Sequence, residues 1–187
     1  GSLYEDFFTG DVTVTTNLIN AGVEATTASF RAPAVYATKG VDGSDMDWTI
    51  TRFALLDLDG DGADELVLAI DYGGEEEYVI LTCYDGAVYA NQIVYRGFLS
   101  PKADGTFEWS NGAFDNGASR ARFENGVLVY EDFASMSEGS DGNTVHTLNS
   151  ESVDEAAYSA FLDEQAAKDD LAWTEFSVDA VNAALAG

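Results

Sequence analysis

The chain has one cysteine, one histidine, two prolines and eight basic residues among its 187 positions. The single cysteine, Cys83, rules out an internal disulfide. It sits in the apolar run 79–84, which predicts a small buried side chain rather than a reactive thiol. The single histidine, His146, excludes a histidine-built metal centre, and a Ser-His-Asp or Cys-His pair would have to use it. Its setting, Thr144–Leu148, reads more simply as an edge strand. Glycine-rich phosphate cradles ending in Lys-Ser or Lys-Thr are absent as well. Together these gaps leave no recognisable catalytic apparatus. Eight Lys and Arg stand against 34 Asp and Glu, a formal charge of −26. Such a surface repels phosphate, so nucleic acid and anionic membranes are not expected partners. No run reaches the roughly 18 apolar residues needed to cross a bilayer as a helix. Gly1-Ser2 reads as a vector-derived scar, so an export signal or a lipid-anchor segment upstream is compatible with the sequence.

What is present points to a folded, β-rich chain. Hydrophobic residues make up 46 % of it, enough for a core, and the length suits a single domain over 1–187. The expected organisation is α+β: a helix and an irregular segment over 1–46, an antiparallel β meander over 47–149, and helices over 150–187. In the first part, Ser2 and Glu5 match a capping box for a helix over 2–9, with Gly10 as its stop. Val12 and Val14 hint at a strand. The meander has about seven to nine strands. Strands are expected at 48–56, 65–72, 78–84, 87–95, 106–109, 119–124, 127–133 and 144–148. Asp85-Gly86 and Asn125-Gly126 mark type I′ hairpins, and 73–76 reads as a loop. At the C-terminus, Ser152 to Glu155 reads as a capping box for a helix with Ala157, Phe161 and Leu162 inward. Ser177 caps a last helix with Val178, Val181 and Leu185 on one face, and Phe176 and Val181 are spaced as a hydrophobic staple.

The strongest chemical signal is the segment Asp57-Leu58-Asp59-Gly60-Asp61-Gly62-Ala63-Asp64-Glu65. Three carboxylates recur at every second residue, and Gly62 follows them where a sharp turn is needed. Calcium takes six to eight oxygens at about 2.3–2.6 Å. Asp57, Asp59 and Asp61 can supply side-chain oxygens, Ala63 its carbonyl, and Glu65 a further carboxylate, directly or through water. Without a cation, carboxylates about 5 Å apart would repel by roughly 3 kcal/mol per pair at an effective dielectric of 20. Magnesium fits less well, because it keeps its waters and demands a stricter octahedron. The twelfth position is Leu68 rather than the bidentate glutamate of an EF-hand, and the flanks are strand-like. Affinity in the extracellular range, roughly 10⁻⁴–10⁻³ M, is therefore expected, with the ion structural. Asp42–Asp47 lacks the alternation, and Glu75-Glu76-Glu77 reads as a solvated loop.

The stretch 57–66 resembles the calcium loops of FG-GAP and VCBS-type repeats, which lie between two strands and use positions that fall here on Asp57, Asp59, Asp61, Ala63 and Glu65. The family usually has Asp at the last of these. Its repeats build propellers, for which one loop in a chain of this length is too little. More closely, the chain is similar to uncharacterised secreted proteins and lipoproteins of gut Gram-positive bacteria. They combine one such loop with a meander and a C-terminal helical segment. The resemblance implies an extracellular or cell-surface bacterial location more than an activity. The expected function is a monomeric, calcium-stabilised module that binds an unknown protein or glycan. A carboxylate-dependent hydrolase acting on an extracellular polymer is the alternative, and an acidic surface for a basic protein partner is a third reading. Trp109 and Tyr72 are the aromatic contacts such binding could use, although core packing explains a tryptophan more simply.

Overall fold

The computed structural model describes residues 4, 7–8, 13–20, 23–31, 48–93 and 96–186. In chain order the strands are β1 (Thr13–Asn20), β2 (Val23–Arg31), β3 (Trp48–Leu56), β4 (Glu65–Tyr72), β5 (Glu75–Tyr84), β6 (Ala87–Ile93), β7 (Thr106–Gly112), β8 (Asp115–Glu124), β9 (Val127–Glu138), β10 (Thr144–Leu148), β11 (Glu151–Val153) and β12 (Thr174–Glu175). Helix α1 (Glu155–Ala166) lies between β11 and β12, and α2 (Val178–Leu185) follows β12. The strands form a seven-stranded sheet, ordered β12-β3-β4-β5-β6-β1-β2, and a five-stranded sheet, ordered β11-β10-β9-β8-β7. That exceeds the expected number of strands. Tyr4, Phe7 and Phe8 are helical, as expected for the N-terminal segment.

The meander reading holds for β3 to β6, whose registers are antiparallel throughout. It fails at β1, which pairs antiparallel with β2 but parallel with β6, from Val14 opposite Val88 to Ile19 opposite Ile93. A parallel pairing joins distant stretches and needs a crossover, so no local turn signal announces it. The hint of a strand at Val14 is met by β1, and β2 is a second strand where an irregular segment was expected. The acidic stretch Asp42–Asp47 lies outside the described residues.

Packing is layered. On one face of the larger sheet, Phe53, Leu66, Leu68, Ile70, Val79 and Leu81 meet Tyr4 and Phe7 of the N-terminal helix and Val181 of α2. On its other face, Ile19, Val67, Ile80 and Ile93 meet Phe107, Ala121 and Leu128 of the smaller sheet. The far side of that sheet carries Ala118 and Ala134, closed by Tyr158, Phe161 and Leu162 of α1. The order is helix, sheet, sheet, helix. The central strand β4 is apolar at every position from Leu66 to Ile70 because both its faces are covered. Each fully buried Leu or Ile there contributes about 1.5–3 kcal/mol.

One buried side chain ties the sheets together. Asn91 on β6 donates from Nδ2 to the Gly126 carbonyl at 3.0 Å and accepts at Oδ1 from the Leu128 N–H at 2.9 Å and from Asn17 Nδ2 at 2.9 Å. Gly126 itself needs to be glycine: its φ is +82°, and a Cβ there would stand 2.4 Å from the Tyr89 ring. Asp85 and Asn125 also have positive φ, with Gly86 and Gly126 following, as type I′ turns require.

Several expectations shift at element ends. β5 begins at Glu75, so Glu75-Glu76-Glu77 lies in a strand and the turn shrinks to Gly73-Gly74. β10 is not an edge, because β11 pairs outside it. Helix α1 is capped by Asp154, whose side chain accepts from Ala157 N, while Ser152 belongs to β11. Ala157 is exposed, and Tyr158 takes its place in the core. Ser177 does cap α2, accepting from Ala180 N, but Val178 is exposed. Cys83 is exposed too, near the end of β5 where the apolar run leaves the core.

Candidate metal site

The acidic loop spans the gap between β3 and β4, two strands fixed by a register that runs from Trp48 opposite Tyr72 to Leu56 opposite Glu65. The chain must reverse within residues 57–64, and it does so around Gly60 and Gly62, with φ of +79° and +90°. These left-handed turns wrap the backbone onto the first carboxylate. Asp57 accepts from the N–H of Gly60 at 2.7 Å and of Gly62 at 3.0 Å. Asp59 accepts from the Asp61 N–H at 3.2 Å, and Asp61 from the Ala63 N–H at 2.8 Å. The alternating acids are thus turned inward by the loop's own amides.

As a result, carboxylate oxygens of Asp57, Asp59 and Asp61 all lie within 4.8 Å of one another. Two oxygens on opposite sides of an ion, each about 2.3–2.6 Å from it, stand roughly 4.6–5.2 Å apart. The three aspartates therefore fit around a single cation. Asp57 and Asp59 are half-buried and Asp61 is exposed, so an ion could reach them from solvent. Burial pushes the Asp59 carboxyl above its ordinary range, and the charges of Asp61 and Asp57 push it further.

Glu65 stands differently. It is 3 % exposed, at the base of the loop and the start of β4. One oxygen accepts from the Leu58 N–H at 3.0 Å and the other from the Thr82 hydroxyl at 3.2 Å. Burial first, and the charges of Asp59 and Asp61 after it, raise its carboxyl to about 7 against those two hydrogen bonds. It is not among the three residues whose oxygens converge. In this arrangement it closes the loop by tying residue 58 to β4 and β5. Leu58, 2 % exposed, anchors the loop in the inter-sheet core. Ala63 is exposed.

Two partners of the loop were not anticipated. Thr82 is the lone hydroxyl in the apolar part of β5, the one local hint that a polar group must be met there. Tyr4 reaches the loop from the N-terminal helix, its hydroxyl lying 3.2 Å from the Asp64 carbonyl and 3.1 Å from that of Leu81. No sequence signal links residues 60 positions apart.

The aromatic contacts expected for binding divide. Trp109 is 7 % exposed, and its Nε1 donates to Ser119 Oγ at 2.8 Å, so it is a core residue. The Tyr72 side chain lies outside the described residues. His146 packs against Tyr158 with ring centres 4.9 Å apart. A cavity of about 900 Å³ beside the start of β5 is lined by Glu75, Glu76, Glu77, Tyr78, Arg96 and Phe98, among others. Glu76 is already held there by Arg52 at 2.7 Å and by the Tyr78 hydroxyl. No helix of the described residues is long and apolar enough to cross a membrane. No protein family, curated protein or solved structure matches the chain.

Proposed function

We propose that this chain is an extracellular or cell-surface binding module whose fold is stabilised by calcium in the loop Asp57–Glu65. The observation that carries the reading is the convergence of Asp57, Asp59 and Asp61 within 4.8 Å. Three carboxylates with no basic partner among the described residues match a hard divalent cation, and the strand–loop–strand setting matches the resemblance of residues 57–66 to calcium loops of secreted repeat proteins. Asp57, Asp59 and Asp61 would hold the ion with the Ala63 carbonyl, and Glu65 would complete the shell or shape it from below. The ion supplies charge neutralisation. The chain supplies the preformed turn.

A loop of this class binds weakly, which suits an environment where calcium is plentiful. The function then lies in the rigid sheets that the loop helps to hold, and the partner is a protein or glycan. The test is thermal melting with 10 mM calcium and with chelator. A Kd of roughly 10⁻⁴–10⁻³ M gives about 1.4–2.7 kcal/mol of stabilisation, or roughly 3–10 °C in Tm. Superimposed curves would sink the proposal.

A further inference from the structure

A cleft of about 470 Å³ opens on the five-stranded sheet beside the C-terminal end of α1. Thr106, Arg120 and Glu131 line it from the strands, Asn149 and Ser150 from the turn between β10 and β11, and Lys168 from the segment after α1, with Phe133 and Phe161 also in its wall. The volume suits a ligand of small-molecule size.

Its walls are fixed. Phe133 and Phe161 pack edge to face, 5.7 Å between centres. Lys168 is paired with Asp104 at 2.8 Å and donates to Thr106 Oγ1 at 3.1 Å. Gln165, 1 % exposed, donates to the same hydroxyl at 2.7 Å. Asp132, also in the wall, is held by Ser119 and by Trp109 Nε1. Asn149 and Ser150 both adopt left-handed backbone, φ +49° and +68°. A serine at the second position of such a turn is disfavoured relative to glycine. Here it brings a hydroxyl to the cleft.

Arg120 is the exception to this saturation. Arg52, Lys102, Arg122 and Lys168 each pair with an acid, and Arg96 has a partner. Among the described basic side chains Arg120 alone makes no hydrogen bond or ion pair, in a chain with 34 acidic residues. Glu131 stands directly opposite it on β9, and both side chains are exposed.

We propose that this cleft binds a carboxylated sugar, a hexuronate unit, through Arg120. A guanidinium left unpaired favours a planar carboxylate, which it can grip with two parallel hydrogen bonds. Glu131, Thr106, Asn149 and Ser150 offer the mixed donors and acceptors that hydroxyl groups need, and Phe133 and Phe161 add apolar wall for the ring carbons. Glu131 and Asp132 share the cleft and the whole protein carries −26, so each added negative charge on a ligand costs more, and a monoanionic carboxylate is favoured over a dianionic phosphate. The inference rests on the binding-module reading and names its ligand class.

The test is titration calorimetry of the intact protein with sodium glucuronate, glucose and inorganic phosphate. Glucuronate binds, glucose and phosphate bind at least tenfold more weakly, and Arg120→Gln weakens glucuronate about tenfold or more while leaving Tm unchanged. Absence of glucuronate binding, equal binding of glucose or phosphate, or an indifferent Arg120→Gln each overturns the proposal. The outcome is separable from the calcium reading. Glucuronate binding in a protein whose melting ignores chelator would remove only the latter, and calcium stabilisation without glucuronate binding would remove only this proposal.

Discussion

Two corners of the molecule concentrate charge, and they resolve it in opposite ways. Around the end of α1, the buried ammonium of Lys102 donates to the carbonyls of Ala166 and Lys168 at 3.1 and 3.3 Å and to Asp170 at 2.6 Å. Lys168 meets Asp104 close by. Both ammonium groups there have a carboxylate as partner, and Lys102 has carbonyls at the end of α1 as well. At the other corner Asp57, Asp59 and Asp61 converge, and no ion pair among the described residues reaches them. The first corner is complete within the chain. On the proposed reading, the second is completed by a cation from solution. Stability at the first should ignore calcium, and stability at the second should follow it.

The largest effect expected is at the self-sufficient corner. Lys102→Met strips the C-terminal carbonyls of α1 of a buried donor and should cost about 2–4 kcal/mol in urea unfolding, equally with and without calcium. A calcium-dependent penalty would blur the contrast between the corners.

Glu65 gives the next effect, and its sign is diagnostic. Its folded carboxyl is raised to about 7 from the ordinary 4.5. Its contribution is therefore whole below about pH 4.5 and is lost as pH rises through about 7. In chelator, Glu65→Gln should remove that part of the pH dependence and make the protein about 1–3 kcal/mol more stable than the parent at pH 8. Gln can still accept from Leu58 N–H and donate to Thr82. Calcium should reverse the ranking at pH 8 if Glu65 serves the ion, which a pair of melting series would reveal.

Asp59→Asn sharpens the same corner. It should abolish most of the calcium increment, about 1–3 kcal/mol. In chelator it should leave the protein as stable as the parent or slightly more so, since it relieves repulsion among acids that solvent already screens. A variant destabilised equally in both conditions would show Asp59 to be a turn residue only.

The smallest effect belongs to Asp104. Burial pushes its carboxyl up, but hydrogen bonds from Lys168 and Thr106 outweigh that and hold it at about 2. Its stabilisation is present above about pH 4 and is lost as pH falls toward 2. Asp104→Asn should remove that portion of the acid transition, a small change because the pair is partly exposed.

The difference between the corners also marks what the sequence could reveal. The acid loop, its flanking strands and the Asp-Gly and Asn-Gly hairpins were legible because their signals are local: alternation, turn glycines, apolar runs. Strand β1 was legible only as a hint at Val14, because it goes on to place Thr16 and Asn17 in the interior, where Asn17 meets Asn91 across 74 residues. A strand buried through polar pairing carries no apolar period to read. Lys102 was invisible for the same reason, being a buried lysine whose partners lie 64 to 68 residues away. At the loop itself, spacing identified the three aspartates that converge. It could not show that both oxygens of Glu65 are engaged by Leu58 and Thr82, since Thr82 arrives from another strand.

Calorimetric titration of calcium into the metal-free chain bears most directly on the loop. The account predicts one ion per chain with a Kd of roughly 10⁻⁴–10⁻³ M, and no measurable site in Asp59→Asn. A flat titration at millimolar calcium, or binding untouched by that substitution, would contradict it.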